Sequence, residues 1–162
     1  MSWPRSLCFS ELEQGMTDYA ATYPTNFAAD ERVKNFISAF YAISDNPSRN
    51  DEWVDCFAPD ALLVMGDKRA RGIDDIRELR ESMWEKVKSR KHKLEKVYRS
   101  AFEQSKPESE WKFEYMLHGL VDLELKSAEK VAGQWAARAA LTNHEGRLKY
   151  TLYQVYLHTS PA

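Results

Sequence analysis

The hydrophobic period of this chain changes at Lys91, and few architectures accommodate such a change. From Asp30 onward, Val33, Phe36, Ile37, Phe40 and Tyr41 recur at the i, i+3, i+4, i+7, i+8 spacing of one helical face. After the turn formers of DNPSRND, the segment DEWVDCF reads as a short second helix, stopped at Ala58-Pro59. Ile73, Ile76, Leu79, Met83, Trp84 and Val87 mark a third helix. Asp74 and Asp75 occupy its first turn and Lys86, Lys88 and Arg90 its last, as the helix dipole favours. One hairpin, ALLVMGDKRARG with its Gly-Asp turn, interrupts this helical part. Beyond Lys91, HKLEKVY, WKFEYMLHGLVDLEL, VAGQWAARAAL and LKYTLYQVYLH read as strands, broken at QSKPESE, KSAEK and TNHEG. Helices first and a meander after them give an α+β fold, with three helices packed on one face of a curved antiparallel sheet.

The 162 residues suit one domain, and at 43% hydrophobic and 30% charged they exclude a disordered or collagen-like chain. A formal charge of −2 gives no bulk attraction to nucleic acid or to an anionic membrane. Pro4 and Arg5 stand where a signal peptide needs an apolar run, and no 18-residue apolar stretch occurs. Cys8 and Cys56 form neither a CxxC nor a Cys/His cluster, so a reducing, cytoplasmic setting without a disulfide framework or metal site is expected. Residues 1–25 read as an arm. Its Trp3, Leu7, Phe9, Leu12, Met16 and Tyr19 are irregularly spaced, and Pro24 punctuates its end. This arm is expected to lie on a domain formed by residues 26–162.

Strand alternation sorts the side chains by face. Trp111, Phe113, Tyr115, Leu117, Gly119, Val121, Leu123 and Leu125 share the parity assigned to the inside, with Val131, Gly133, Trp135, Ala137 and Ala139, then Thr151, Tyr153, Val155 and Leu157. Gly119, Ala137 and Ala139 on that concave wall would leave room for a ligand, or else accept aromatics of the first helix. The opposite parity carries Met116, His118, Leu120, Asp122, Arg138, Tyr150, Leu152 and Tyr156, too apolar for a plain solvent face. Its mixture of aromatic, small and Arg residues suits a homodimer interface. His118, Asp122 and Arg138 then belong to that interface, unless a bulge near Gly119 turns them into the pocket.

The order of elements, with FAPDALLVMG after the short helix and GQWAARAAL and LKYTLYQVYL as the final strands, resembles the nuclear transport factor 2-like superfamily. More narrowly it resembles the SnoaL-like polyketide cyclases and isomerases, over about residues 30 to 158. That resemblance implies a cone with a deep apolar pocket, often in cofactor-free enzymes acting on hydrophobic small molecules, and frequently dimerisation through the sheet face. The fold also serves as a pure binding module.

His92 opens the strand after the third helix, where scytalone dehydratase and several SnoaL-like isomerases carry a functional His. Its neighbours Lys88, Arg90, Lys91 and Lys93 disfavour the imidazolium, so a neutral ring able to accept a proton is expected. Asp45 lies near the region from which scytalone dehydratase contributes a Tyr-Asp pair, and Tyr41 precedes it at i, i+4 spacing. A carboxylate, a phenol and a neutral His can share acid and base roles in enolisation, dehydration or cyclisation. Met65 stands where that dehydratase has a Tyr, and Gly119 matches its second pocket His, so the resemblance stops short of that enzyme's own reaction.

Five Trp, eight Tyr and seven Phe make 12% of the chain aromatic, which fits a dense core or a chamber for a flat ligand. Trp53, Phe57, Met65, Trp84, Tyr115, Leu117, Trp135 and Tyr153 are the expected lining. No GxSxG, Walker or dinucleotide fingerprint is present. The reading is a cofactor-independent isomerase, cyclase or dehydratase for a hydrophobic natural-product intermediate. The alternative is a non-catalytic small-molecule-binding or dimeric interaction module of the same fold.

Overall fold

A computed structural model describes residues 18–25, 30–100 and 112–162, with side chains from Glu114 onward in the last stretch. Trp3, Leu7, Phe9, Leu12, Met16 and Trp111, and the Phe113 side chain, lie outside the described residues. Helix α1 spans Glu31–Ser44 and is opened by Asp30, whose side chain accepts from the Arg32 amide. Helix α2 (Asn50–Asp55) leads into the hairpin β1 (Phe57–Met65) and β2 (Lys68–Arg71), and α3 (Ile73–Ser82) follows. The long strands β3 (Val87–Arg99), β4 (Lys112–Leu125), β5 (Lys130–His144) and β6 (Arg147–Pro161) complete the chain. No helix among the described residues is long and apolar enough to cross a membrane.

The six strands form one sheet in the order β2-β1-β6-β5-β4-β3. It is not wholly antiparallel, as the meander alone would have it, because β6 returns between β5 and β1 and pairs with β1 in parallel. The Pro59 region interrupts that pairing between Phe57 and Leu62, where a missing amide cannot serve a ladder. The β5–β6 hairpin closes on a two-residue turn in which both Glu145 and Gly146 have positive φ, the geometry that matches strand twist.

The third helix, expected to carry Arg90 in its last turn, ends at Ser82. Its apolar spacing continues to Val87, yet Val87, Ser89 and Arg90 pair with Leu125, Glu124 and Leu123 of β4 across a bulge at Lys88. Non-local strand pairing outweighs a locally plausible helical turn. Lys86, Lys88 and Arg90 are therefore not a solvated helix end. Arg90, His92 and Leu94 point inward on β3, while Lys88, Lys91 and Lys93 face solvent.

On β4 and β5 the expected parity holds: Tyr115, Leu117, Val121, Trp135, Ala137 and Ala139 are buried. The irregularity near Gly119 lies in β3, between Leu94 and Lys96, and leaves the β4 register intact. His118, Asp122 and Arg138 stay on the outer face, His118 3.3 Å from Glu95 and Arg138 2.6 Å from Glu114. On β6 a shift between Ala140 and Leu141 of β5 leaves Thr151 without a partner and reverses parity before it. Tyr150, expected on the outer face, is consequently fully buried, while at the far end of the strand Leu157, expected inside, keeps the inner side with His92 and Trp135 but is 53% exposed.

Phe40 is the hub of the core, with its ring 4.8 Å from Tyr150, 5.2 Å from Tyr153 and 5.6 Å from Trp53. Tyr41 stacks on Trp135 at 5.0 Å. Burying each such side chain contributes roughly 1.5–3 kcal/mol, so this cluster fastens α1 to the sheet. The space over Gly119 is taken up by it. A Cβ there would lie 2.1 Å from the Lys93 carbonyl and 2.9 Å from the Trp135 ring, so glycine serves close packing rather than ligand room.

Candidate active site

Helix α1 ends at Asp45, whose carboxylate turns under β3. One oxygen, Oδ1, lies 2.5 Å from His92 Nδ1, and the other accepts from the His92 backbone amide at 2.7 Å and from the Tyr19 hydroxyl at 2.9 Å. A carboxylate only accepts, so Nδ1 carries the proton and Nε2 keeps its lone pair, a tautomer assigned from the hydrogen-bond network. Asp45 and His92 are buried, at 6% and 15% side-chain exposure. The Tyr41 ring packs edge-on to the imidazole at 5.2 Å and Trp135 at 5.7 Å.

Burial is the main reason the His92 pKa lies below its ordinary value. Arg90 and Arg80 push the same way, and Asp45 opposes them. The shift runs toward the neutral ring expected from the sequence, and desolvation and two buried arginines cause it, not the exposed lysines. For Asp45 burial pulls the carboxyl upward, and the hydrogen bonds and charge of its partners outweigh it, holding the pKa below the usual carboxylate value.

Two buried guanidinium groups complete this end of the cone. Arg80 is fully buried between the Trp53 and Trp84 rings, at 4.9 and 5.2 Å, and donates to Asn50 Oδ1 and to the carbonyls of Ile43, Ser44 and Asn46. Burial first, then Arg90, lowers its pKa to about 9, still cationic at neutral pH. Arg90 stacks on Trp84 at 4.6 Å, donates through Nη2 to the Ser44 carbonyl, and brings Nε within 3.5 Å of Asp45 Oδ1. Both arginines thus meet the carbonyl end of α1, where a helix carries partial negative charge.

A cavity of about 210 Å³ opens beside His92, lined also by Ser44, Trp53, Met65, Arg90, Trp135 and Tyr153. Of the expected lining, Trp53, Met65, Trp135 and Tyr153 are on this wall. Phe57, Tyr115 and Leu117 are core residues away from it, and Trp84 stands behind Arg90. Gly119, Ala137 and Ala139 do not line it either. Tyr41 is buried beneath the wall with its hydroxyl 2.9 Å from that of Tyr153, so Tyr153 and not Tyr41 presents a phenol to the cavity. A larger hollow of about 490 Å³ lies on the outer sheet face by His118 and Tyr156, without a buried ion pair. Among the described residues no group of three or more His, Cys, Asp or Glu is placed to hold a metal.

The sequence reading brought together His92 and Asp45 and missed Arg80, Arg90 and the role of Tyr19. The last comes from the arm: Thr22 forms a bridge to Lys96, and Ser38 Oγ donates to the Tyr19 carbonyl at 3.2 Å, fixing the segment across β3 and α1.

No protein-family model matches the sequence, and neither does any curated protein. Solved structures do match. A protein provisionally assigned as scytalone dehydratase from Novosphingobium aromaticivorans superposes with a TM-score of 0.69 at 10% identity, covering 82% of this chain and 86% of that one. Hexachlorocyclohexane dehydrochlorinase LinA-type3 from Novosphingobium barchaimii gives 0.68 at 12% identity, covering 82% and 88%. A Nostoc punctiforme protein with a cystatin-like fold gives 0.58 at 12% identity, covering 79% and 90%. The chain has the nuclear transport factor 2-like fold. At these identities the likeness is one of architecture, and the chemistry must be argued from the site itself.

Proposed function

We propose that the chain is a cofactor-free lyase or isomerase in which His92 removes a proton from carbon inside an aromatic chamber. The observation that carries this is the buried Asp45–His92 pair, which leaves one unprotonated imidazole nitrogen on a residue that lines the cavity. Asp45 stays ionised, fixes the tautomer and stabilises the imidazolium that forms on proton transfer. Trp53, Trp135 and Met65 give the reacting centre an apolar surround. Two of the structural neighbours bear names of eliminating enzymes, a dehydratase and a dehydrochlorinase, and elimination begins with the same proton abstraction. The proposal includes a hydrophobic, natural-product-like substrate and a cytoplasmic setting. It also includes a homodimer through the outer sheet face, where Met116, Leu120 and Tyr156 are exposed at 41%, 36% and 52%. The second reading, a binding module without catalysis, draws on how far the chain's own aromatic rings fill the cone.

The test uses 5-nitrobenzisoxazole, a flat molecule that opens to 2-cyano-4-nitrophenolate when a base removes its ring C–H proton. Wild type should accelerate the opening, and His92→Gln should lose about 100-fold or more of that rate while keeping the fold. Equal rates for the two proteins would overturn His92 as the base, and no acceleration by wild type would favour the binding module.

A further inference from the structure

Resting on that reading of His92, we infer that Arg90 binds an anionic oxygen of the substrate, and that the substrate is a single-ring enolisable ketone whose enolate a phenolate mimics. Three observations carry this. The first is a charge imbalance: with His92 neutral, two buried guanidinium groups, Arg80 and Arg90, face one carboxylate, Asp45. The carbonyl end of α1 offsets part of the excess, but a dipole end amounts to about half a charge. An apolar cavity bordered by surplus positive charge favours an anion inside it.

The second is the difference between the two arginines. Arg80 is held by four acceptors and two indole faces and does not line the cavity. Arg90 does line it, at 11% side-chain exposure, and its Nε is buried without a hydrogen-bond partner; the 3.5 Å approach to Asp45 is ionic only. That Nε faces Asp45 and not the cavity. Among the described residues Arg90 otherwise bonds only the Ser44 carbonyl, through Nη2, so its guanidinium keeps donors for a ligand, whereas Arg80 has already committed its own. The Asp45 oxygens serve His92 Nδ1, the His92 amide and the Tyr19 hydroxyl, and Oδ1 also faces Arg90 Nε at 3.5 Å.

The third is size and wall chemistry. An apolar cavity of roughly 150 Å³ accepts benzene, so about 210 Å³ suits one substituted ring. The Tyr153 hydroxyl on the same wall, with its pKa raised chiefly by burial, stays protonated and can donate beside Arg90. In the step itself, His92 takes the proton from carbon α to a carbonyl, and the C–H electron pair becomes the new C=C bond. The carbonyl π pair moves onto oxygen, and Arg90 holds the enolate. Where the ketone is β,γ-unsaturated the enolate is a dienolate, and return of the proton from His92 to Cγ gives the conjugated isomer. Where Cβ carries a hydroxyl or halogen, the enolate pair re-forms the carbonyl and expels that group, hydroxide leaving as water with the His92 proton and halide as the free anion.

The probe is 4-nitrophenol, whose ionisation near neutral pH is visible as the yellow phenolate, titrated into the full chain across pH. Wild type should bind phenolate at least about tenfold more tightly than phenol, seen as a fall in the apparent pKa of the bound dye. Arg90→Gln should bind both forms within about threefold, with unchanged affinity for neutral 4-nitrotoluene reporting an intact cavity. If that variant does not fold, Arg90→Lys keeps the charge and should keep most of the preference. Equal binding of the two forms by wild type, or persistence of the preference in Arg90→Gln, would overturn the inference. His92→Gln should retain the preference, and its loss there would assign the anion to an imidazolium instead. A wild type that prefers phenolate yet does not open 5-nitrobenzisoxazole would remove His92 as base and leave the Arg90 site standing.

Discussion

Asp45→Asn removes one negative charge and almost no volume, which makes it the sharpest probe of the buried network. In the native structure the Asp45 and Arg90 side chains are 6% and 11% exposed, and four donors approach the carboxylate. Removing one partner of a buried ion pair costs about 3–5 kcal/mol, because the remaining charge is left in a low-dielectric site. Against this, Asp45 occupies the carbonyl end of α1, where a negative charge is unfavourable by about 0.3–1 kcal/mol, and that penalty disappears. The net expectation is a loss of about 2–4 kcal/mol, which for a chain of this size lowers Tm by roughly 5–15 °C. Urea unfolding should show a reduced midpoint at unchanged m. The gap from wild type should close in acid. Because partners hold the Asp45 pKa below its unfolded value near 3.9, its contribution is present above that pH and lost as pH falls through the folded pKa. The amide also cannot fix the Nδ1–H tautomer alone, so the rate on 5-nitrobenzisoxazole should fall by about 100-fold or more. An Asp45→Asn protein within about 0.5 kcal/mol of wild type at pH 7 would refute the reasoning, since Arg90 could not then depend on this carboxylate.

Three further outcomes follow from the same geometry. Tyr153→Phe should cost about 1–3 kcal/mol, because it strands the Tyr41 hydroxyl in the core, whereas Tyr41→Phe should cost less because Tyr153 can turn to water in the cavity; chemical denaturation of both variants and the double Phe variant checks the asymmetry, and equal costs would sink it. With the His92 pKa lowered in the folded state, the unfolded chain binds a proton that the native chain refuses, so stability should fall as pH drops below about 6.5, and His92→Gln should flatten that part of the profile in pH-dependent melts. Light scattering at micromolar concentration should give twice the chain mass if the outer face joins two copies, and Tyr156→Glu should halve it; a wild-type monomer would remove the dimer.

The fold was legible wherever one physical period dominated. The stripe of Val33, Ile37, Phe40 and Tyr41 specified α1, and the alternation through Tyr115, Leu117 and Val121 gave the face of β4. It was illegible where two periods coexist or where distant pairing decides. Residues 73–87 satisfy helical spacing throughout, and only the ladder to β4, invisible in the local sequence, ends the helix at Ser82. The reversal at Thr151 that buries Tyr150 is likewise set by a mismatch with β5 and leaves no mark in the strand's own alternation.

The same boundary error hid Arg90. Placed at the end of a helix, it belongs to a solvated basic run; placed on a strand beginning at Val87, it shares parity with His92 and Leu94 and must enter the cone. Arg80 had a signal too, since it follows Ile76 by four residues and so falls on the buried face of α3. These arginines explain why Asp45 can exist where it does. A carboxylate closing the carbonyl end of a helix is opposed by the dipole and by burial, and DNP after a helix reads as ordinary turn chemistry. Here two cations from separate elements converge on that helix end: Arg80 bonds its carbonyls, and Arg90 also faces the carboxylate. The hydrogen bonds from His92 and Tyr19 hold the acid ionised, and the arginines add positive charge at the same helix end. Losing either cation should therefore raise the Asp45 pKa and disturb the imidazole before it disturbs the fold of the sheet, which ties the chemistry of the site to the cations that hold this end of the cone together.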